Sequence, residues 1–214
     1  MKPAYIESYD GFKINSCKAR NHGVYPALLR RILDQVRALQ SHYARITIVR
    51  IDLHFPAEKS LDHKLENLSL SRYLRLIKMD LGSTSWKCHK KFIHGWVKEN
   101  GKTGRSHFHL FIGIQSLQRV LGAISSKGNT GLWGLLEKRW KQLTGGSIQF
   151  CGYHVLNRGD NCALSQCFYH LSYLAKTRDK HFNTGESYRR FSFSSLPIKR
   201  KESEAPELLY QGSA

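Results

Sequence analysis

The sequence predicts an α+β protein whose central antiparallel sheet is flanked by helices. Three observations carry this. Residues 45–55 alternate apolar and polar, two strand-like runs at 92–99 and 106–114 are joined through Asn100-Gly101, and apolar stripes of helical period lie before, between and after them. A length of 214 residues suits one domain with a substantial buried core.

The first twenty residues show no regular pattern. From Tyr25-Pro26, apolar Leu28, Leu29, Ile32, Leu33, Val36 and Leu39 recur at helical spacing and predict a helix to about Ser41. Between Arg45 and Phe55, Val49, Ile51, Leu53 and Phe55 share one face, and Arg50, Asp52 and His54 share the other. Pro56 ends the run, so a half-buried strand with a polar outer face is expected. Leu68, Leu70, Leu74, Leu76 and Ile77 suit a second helix within 61–81. Asn-Gly followed by a further glycine then marks an antiparallel hairpin between the runs 92–99 and 106–114. In its second strand Phe108, Leu110, Ile112 and Ile114 take the core face, and His107 and His109 point away from it. If Glu99 sits across from His107, all three lie on one face.

Leu117 to Ile124 and Leu132 to Leu143 predict helices, and Ser147 to Val155 predicts another strand. Asn161 is placed to cap a helix running to about Thr177. Leu164, Phe168, Leu171 and Ala175 form its core stripe. Tyr169, Tyr173 and Lys176, at i, i+4 and i+7 on a neighbouring face, could all address one site. The expected organisation is an N-terminal extension with a helix (1–43), a main domain (44–196) and a flexible tail (197–214) in which Lys199-Arg200-Lys201 is a solvated charge run.

Composition narrows the function classes. Lys and Arg number 34 against 16 Asp and Glu, a formal charge of +18, which favours a nucleic-acid partner. No apolar stretch reaches membrane-spanning length and the N-terminus lacks a secretory apolar region, so a cytosolic protein without a membrane partner is expected. Cys17, Cys88, Cys151, Cys162 and Cys167 are scattered without a Cys-x-x-Cys pair, which points to reduced thiols and away from a zinc ribbon.

The chemistry concentrates in few residues. Two imidazoles and a carboxylate, His107, His109 and Glu99, can hold a divalent metal that polarises a phosphodiester, and a tyrosine held opposite can attack its phosphorus. Asp52 and His54 could replace or supplement Glu99 as ligands, or contact DNA. Arg50, Arg105 and the cluster Lys87, Lys90 and Lys91 could bind a DNA strand by charge. Trp86 and Trp96 could do so by stacking, although single tryptophans equally suit a core.

These residues carry a resemblance. The stretch from Trp96 to Phe111, with Glu99, His107 and His109, resembles motif two of the HUH endonucleases, in whose Rep branch a glutamate on the preceding strand completes a two-histidine metal site. The stretch from Phe168 to Lys176, Phe-Tyr-His-Leu-Ser-Tyr-Leu-Ala-Lys, resembles motif three of two-tyrosine phage initiators, and Arg50 to Pro56 resembles the motif-one strand. More narrowly, Ser172 to Lys176 and its surroundings look like the inovirus-type replication protein family, also described as the YagK/YfjJ C-terminal domain family. The likeness covers about residues 44 to 195.

The resemblance implies a ferredoxin-like or RRM-like sheet whose metal face is open to single-stranded DNA, and an initiator of rolling-circle replication. Mg²⁺ or Mn²⁺ would be held by His107, His109 and Glu99. Tyr173 or Tyr169 would attack, aided by Lys176, leaving a 5′-phosphotyrosine and a free 3′-OH, and the second tyrosine would cleave again after one round. The implied partners are a single-stranded or hairpin DNA origin with host helicase and polymerase, in a bacterial cytoplasm. A relaxase or transposase of the same superfamily, and a catalytically degenerate DNA-binding regulator, are the other readings.

Overall fold

The computed structural model of the chain describes residues 1–16, 23–58, 62–86, 89–101, 106–117, 120–178, 180 and 188–199. Along the chain run β1 (Ser8–Tyr9), β2 (Phe12–Lys13), α1 (Pro26–His42), β3 (Arg45–His54), α2 (His63–Gly82), β4 (Phe92–Asn100), β5 (Ser106–Gln115), α3 (Gly131–Thr144), β6 (Ser147–Asn157), α4 (Asn161–Leu171) and β7 (Phe191–Phe193). Five strands pair in the order β6-β3-β5-β4-β7, every neighbour antiparallel, and β1 pairs with β2 in a separate hairpin. The run β3-α2-β4-β5-α3-β6 with that strand order is the ferredoxin-like split βαβ arrangement. The α+β class, the hairpin and the helices at 26–42, 63–82 and 131–144 agree with the sequence expectation.

Two-residue alternation sends Val49, Ile51 and Leu53 of β3 and Phe108, Leu110 and Ile112 of β5 to one face. There they meet Leu70, Tyr73 and Ile77 of α2 and Leu136 and Trp140 of α3. Trp96 belongs to this core, and Trp86 packs against its edge. Each such side chain contributes about 1.5–3 kcal/mol by leaving water.

The second face is where the structure departs from the alternation argument. It is buried too. Leu29, Ile32 and Val36 of α1 and Phe168 and Leu171 of α4 cover Ile46, Ile48, Ile93 and Phe111. Arg50 and Asp52 are therefore only 9% and 8% exposed rather than lying on a polar outer surface. Alternation separates the two faces of a strand but does not say which of them later helices will cover. Helix α1, with Ile14, Val24 and Tyr25, shares one core with the sheet. Residues 197–199 run along the end of α1, where Ser41 Oγ accepts from the Lys199 amide at 2.8 Å. Residues 200–214 lie outside the described residues.

Two helix expectations need correction. The described residues of 117–124 are not helical. Gly122 takes φ +73° against Thr130 and Gly131, and the Leu132 amide donates to the Val120 carbonyl, so this segment folds back on the start of α3. The tyrosine helix is capped by Asp160, which accepts from the Ala163 amide at 2.9 Å, and not by Asn161. It ends as an α-helix at Leu171, tightens into a 3₁₀ turn over Ser172–Ala175, and leaves helical geometry at Lys176. Lys176 instead bridges Val24, the Ala175 carbonyl accepts from Tyr25, and the Thr177 amide donates to Gly23. The N-terminal segment competes for these backbone groups, so the helix stops short of Thr177.

Among the described residues Cys151, Cys162 and Cys167 are in no disulfide, and Cys17 and Cys88 lie outside the described residues. No helix among the described residues is long and apolar enough to cross a membrane.

Candidate metal centre

Strand register assembles the centre. Glu99 of β4 pairs with His107 of β5, His107 pairs with His54 of β3, and His109 pairs with Asp52. All five side chains share the α1/α4 face, at the end of the sheet beyond the apolar cover. A bulge in β6 opposite Arg50 and Ile51 leaves Cys151 unpaired beside Asp52. Bulges often sit beside functional sites, where they re-aim neighbouring side chains.

Glu99, His107 and His109 converge. Glu99 Oε2 lies 3.0 Å from His109 Nε2 and 3.5 Å from His107 Nε2, and the two Nε2 atoms are 3.2 Å apart. Donor atoms bound at about 2.1 Å to one cation at right angles stand about 3.0 Å apart, so these spacings suit a single first coordination shell. Among the described residues this is the group able to hold a metal ion.

Asp52 completes the arrangement from behind. His109 Nδ1 donates to Asp52 Oδ1 at 2.7 Å, which aims Nε2 at the cluster. A carboxylate on the rear nitrogen is the usual device for fixing the tautomer and orientation of a metal-binding histidine. The sequence leaves Asp52 as a ligand or a DNA contact; the geometry instead puts it behind His109, as the group that orients that imidazole. His54 stacks on His107 at 5.4 Å between ring centroids, and burial and the neighbouring His107 lower its basicity.

Charges are balanced tightly here. Burial pushes the Glu99 carboxyl up, but hydrogen bonds from both histidines and the charge of Lys180 outweigh it and hold the group far below the ordinary carboxylate range. Burial likewise opposes a charge on His109, yet Asp52 and Glu99 together raise its pKa. When doubly protonated, His109 bridges the two carboxylates through Nδ1 and Nε2. With the Nε2 proton gone, the same geometry presents a lone pair to a cation, so binding would release a proton.

Tyr173 borders the cluster. Its ring meets His109 edge-on at 5.1 Å, the Arg50 guanidinium carbon lies 4.3 Å from the ring centroid and Lys176 Nζ lies 4.9 Å from it. Burial raises the phenol pKa and Glu99 and Asp52 add to this, whereas Arg50 and Arg178 oppose it. Lys176 thus reaches Tyr173 although the helix has ended. Tyr169 is 40% exposed, and it is the Tyr173 ring that meets His109. Lys90 and Lys91 precede β4 at the end of the sheet opposite Glu99, about 25 Å away at strand rise. Arg105 and Lys87 lie outside the described residues.

Sequence reasoning missed Lys180, whose buried ammonium pairs with Glu99 Oε1. A lone lysine after the tyrosine helix gives no periodic signal. It also missed a buried cluster on the opposite face, where Lys98 pairs with Glu66 and its Nζ lies 2.9 Å from His63 Nδ1. That one had a legible trace: Glu66 falls on the stripe of Leu70, Tyr73 and Ile77, where a charge needs a partner.

Removing a ligand should cost more than removing the group that orients one. Glu99→Ala is expected to abolish Mn²⁺ binding measured by calorimetry, and Asp52→Ala to weaken it by about 10–100-fold. The reverse order would move the centre toward β3.

The fold and the site define an α+β protein carrying a buried Glu-His-His cluster that could bind a metal. The family model of the YagK/YfjJ C-terminal domain matches residues 8–194, and the chain belongs to that family. No curated protein and no solved structure matches it.

Proposed function

We propose that this protein nicks single-stranded DNA and joins itself to the cut strand through a tyrosyl phosphodiester, initiating rolling-circle replication of a phage, prophage or plasmid-like element. The observation that carries this reading is Tyr173 packed against His109 at the edge of the Glu-His-His cluster, with two cations over its ring. A nucleophile, an electrophile site and phosphate-binding charge then stand within one side chain of each other. The likeness of the same residues to HUH endonuclease motifs supports it.

In this mechanism Glu99, His107 and His109 would hold Mg²⁺ or Mn²⁺, with Asp52 orienting His109. The bound cation would act as a Lewis acid on a nonbridging oxygen of the scissile phosphate. Tyr173 attacks phosphorus through its hydroxyl oxygen. The bond from phosphorus to the 3′ oxygen breaks, the 5′ end stays on the tyrosine, and the phenolic proton ends on the 3′-OH. Arg50 and Arg178 work against the burial and the two carboxylates that hold the phenol pKa up, and Arg50 and Lys176, both over the Tyr173 ring, supply positive charge that attracts the strand.

Incubation with end-labelled single-stranded DNA and Mn²⁺, followed by a denaturing gel, tests the proposal. A band shifted by the mass of the protein is expected. Binding without any adduct would instead favour a DNA-binding regulator.

The charge of +18 makes a separate prediction. Non-specific affinity for single-stranded DNA should fall steeply with salt, with a log–log slope of about −0.7 per phosphate contacted, because each contact releases a counterion. A nearly flat dependence between low and physiological salt, read by fluorescence anisotropy, would contradict electrostatic binding.

A further inference from the structure

We infer that Lys180 makes Glu99 a one-oxygen ligand and thereby biases the cluster against Ca²⁺. The inference rests on the metal-centre reading above and concerns which cations that centre takes.

The carboxylate of Glu99 is divided. Oε1 is bonded by the Lys180 ammonium, and Oε2 faces the two histidine Nε2 atoms at 3.0 and 3.5 Å. The Lys180 side chain is fully buried and that of Glu99 is 7% exposed, so water does not compete for Oε1. The lysine is held from its backbone as well. Its amide donates to the Thr177 carbonyl at 3.2 Å, and its carbonyl accepts from the Tyr25 hydroxyl at 3.5 Å. A buried ammonium is costly unless paired, so it will not readily release the oxygen.

Two consequences follow. The charges of Glu99 and Lys180 cancel, so the centre offers a dication two imidazoles and one oxygen with little net attraction. Glu99 also cannot chelate through both oxygens. Ca²⁺ prefers 6–8 oxygen ligands at long distances, often including a bidentate carboxylate, and gains little here. A smaller cation of octahedral preference with tolerance for imidazole needs only the three atoms offered and keeps its remaining positions for water or phosphate.

The test titrates Mn²⁺ and Ca²⁺ separately into the full chain by isothermal calorimetry, with circular dichroism as a check on folding. The unmodified protein should bind Mn²⁺ at least about tenfold more tightly than Ca²⁺. Lys180→Met frees Oε1 and should shrink that ratio by about fivefold or more, through a larger gain for Ca²⁺. Lys180→Gln keeps an N–H donor on Oε1 without the charge, so both affinities should rise while the ratio stays within about twofold. A ratio unchanged in Lys180→Met, or one that collapses equally in Lys180→Gln, overturns the inference. If Lys180→Met does not fold, Lys180→Ala takes its place under the same criterion, since it too frees Oε1. Absence of Mn²⁺ binding by the unmodified protein is a different result, and it removes the metal centre itself.

Discussion

Tyr173→Phe should lower covalent adduct formation by about 1000-fold or more, equivalent to about 4 kcal/mol of transition-state stabilisation. Phe keeps the ring that touches His109, Arg50 and Lys176, so packing survives and only the hydroxyl proposed as the nucleophile is lost. Tyr169→Phe should leave the first cleavage near its full rate, since this side chain is exposed and it is the Tyr173 ring that meets His109. Any effect should appear in a second cleavage or in strand release. Mass spectrometry of the adduct peptide assigns the attacking residue. An adduct on Tyr169 alone would exchange the roles, and DNA cleavage without any tyrosine adduct would point to water as the nucleophile.

Chelation should have a comparable effect on chemistry by another route. EDTA is expected to reduce the adduct to background and added Mn²⁺ to restore it. The two histidines should then behave differently when removed. The His107 side chain is 21% exposed and borders solvent, so His107→Ala should cut adduct formation by about 100-fold with little change in melting temperature. The His109 side chain is 3% exposed and joins Asp52 to Glu99. Its removal takes away a hydrogen-bonding partner shared by two buried carboxylates, although Lys180 still pairs with Glu99 and Arg50 lies 3.5 Å from Asp52, at a cost of about 1–3 kcal/mol. His109→Ala should therefore lower the melting temperature as well as activity. Full activity in His107→Ala would remove that residue from the metal centre, whatever His109→Ala does.

The parts of this architecture governed by near neighbours were legible in the sequence. Asn100-Gly101 marked a hairpin between the two strand-like runs, and the pairing of those strands places Glu99 opposite His107. Strand alternation placed Arg50, Asp52 and His54 on the same face as the histidines. What stayed hidden depends on contacts distant in sequence. Nothing in Arg45–Phe55 says that α1 and α4 will cover its second face, so His109 looked solvent-directed when it is buried. Helical spacing grouped Tyr169 with Tyr173 because it assumed one continuous helix. The 3₁₀ turn reflects hydrogen bonds from residues near position 25, about 150 positions earlier, and the tyrosines end in unlike surroundings. Gly122 had a local signal, since a glycine inside a short helical pattern lowers support for that helix.

The pairing of Val24 has a wider consequence. Val24 exchanges hydrogen bonds with Ala4 and bridges Lys176, and the Asn15 amide donates to the Ser172 hydroxyl at 2.8 Å. The opening residues thus act as a strap buckled around the end of the tyrosine helix, fixing where Tyr173 and Lys176 stand. A shortened version starting at α1 would retain the helix that covers the sheet, the Glu-His-His cluster and the tyrosine, yet lose the buckle that sets their alignment.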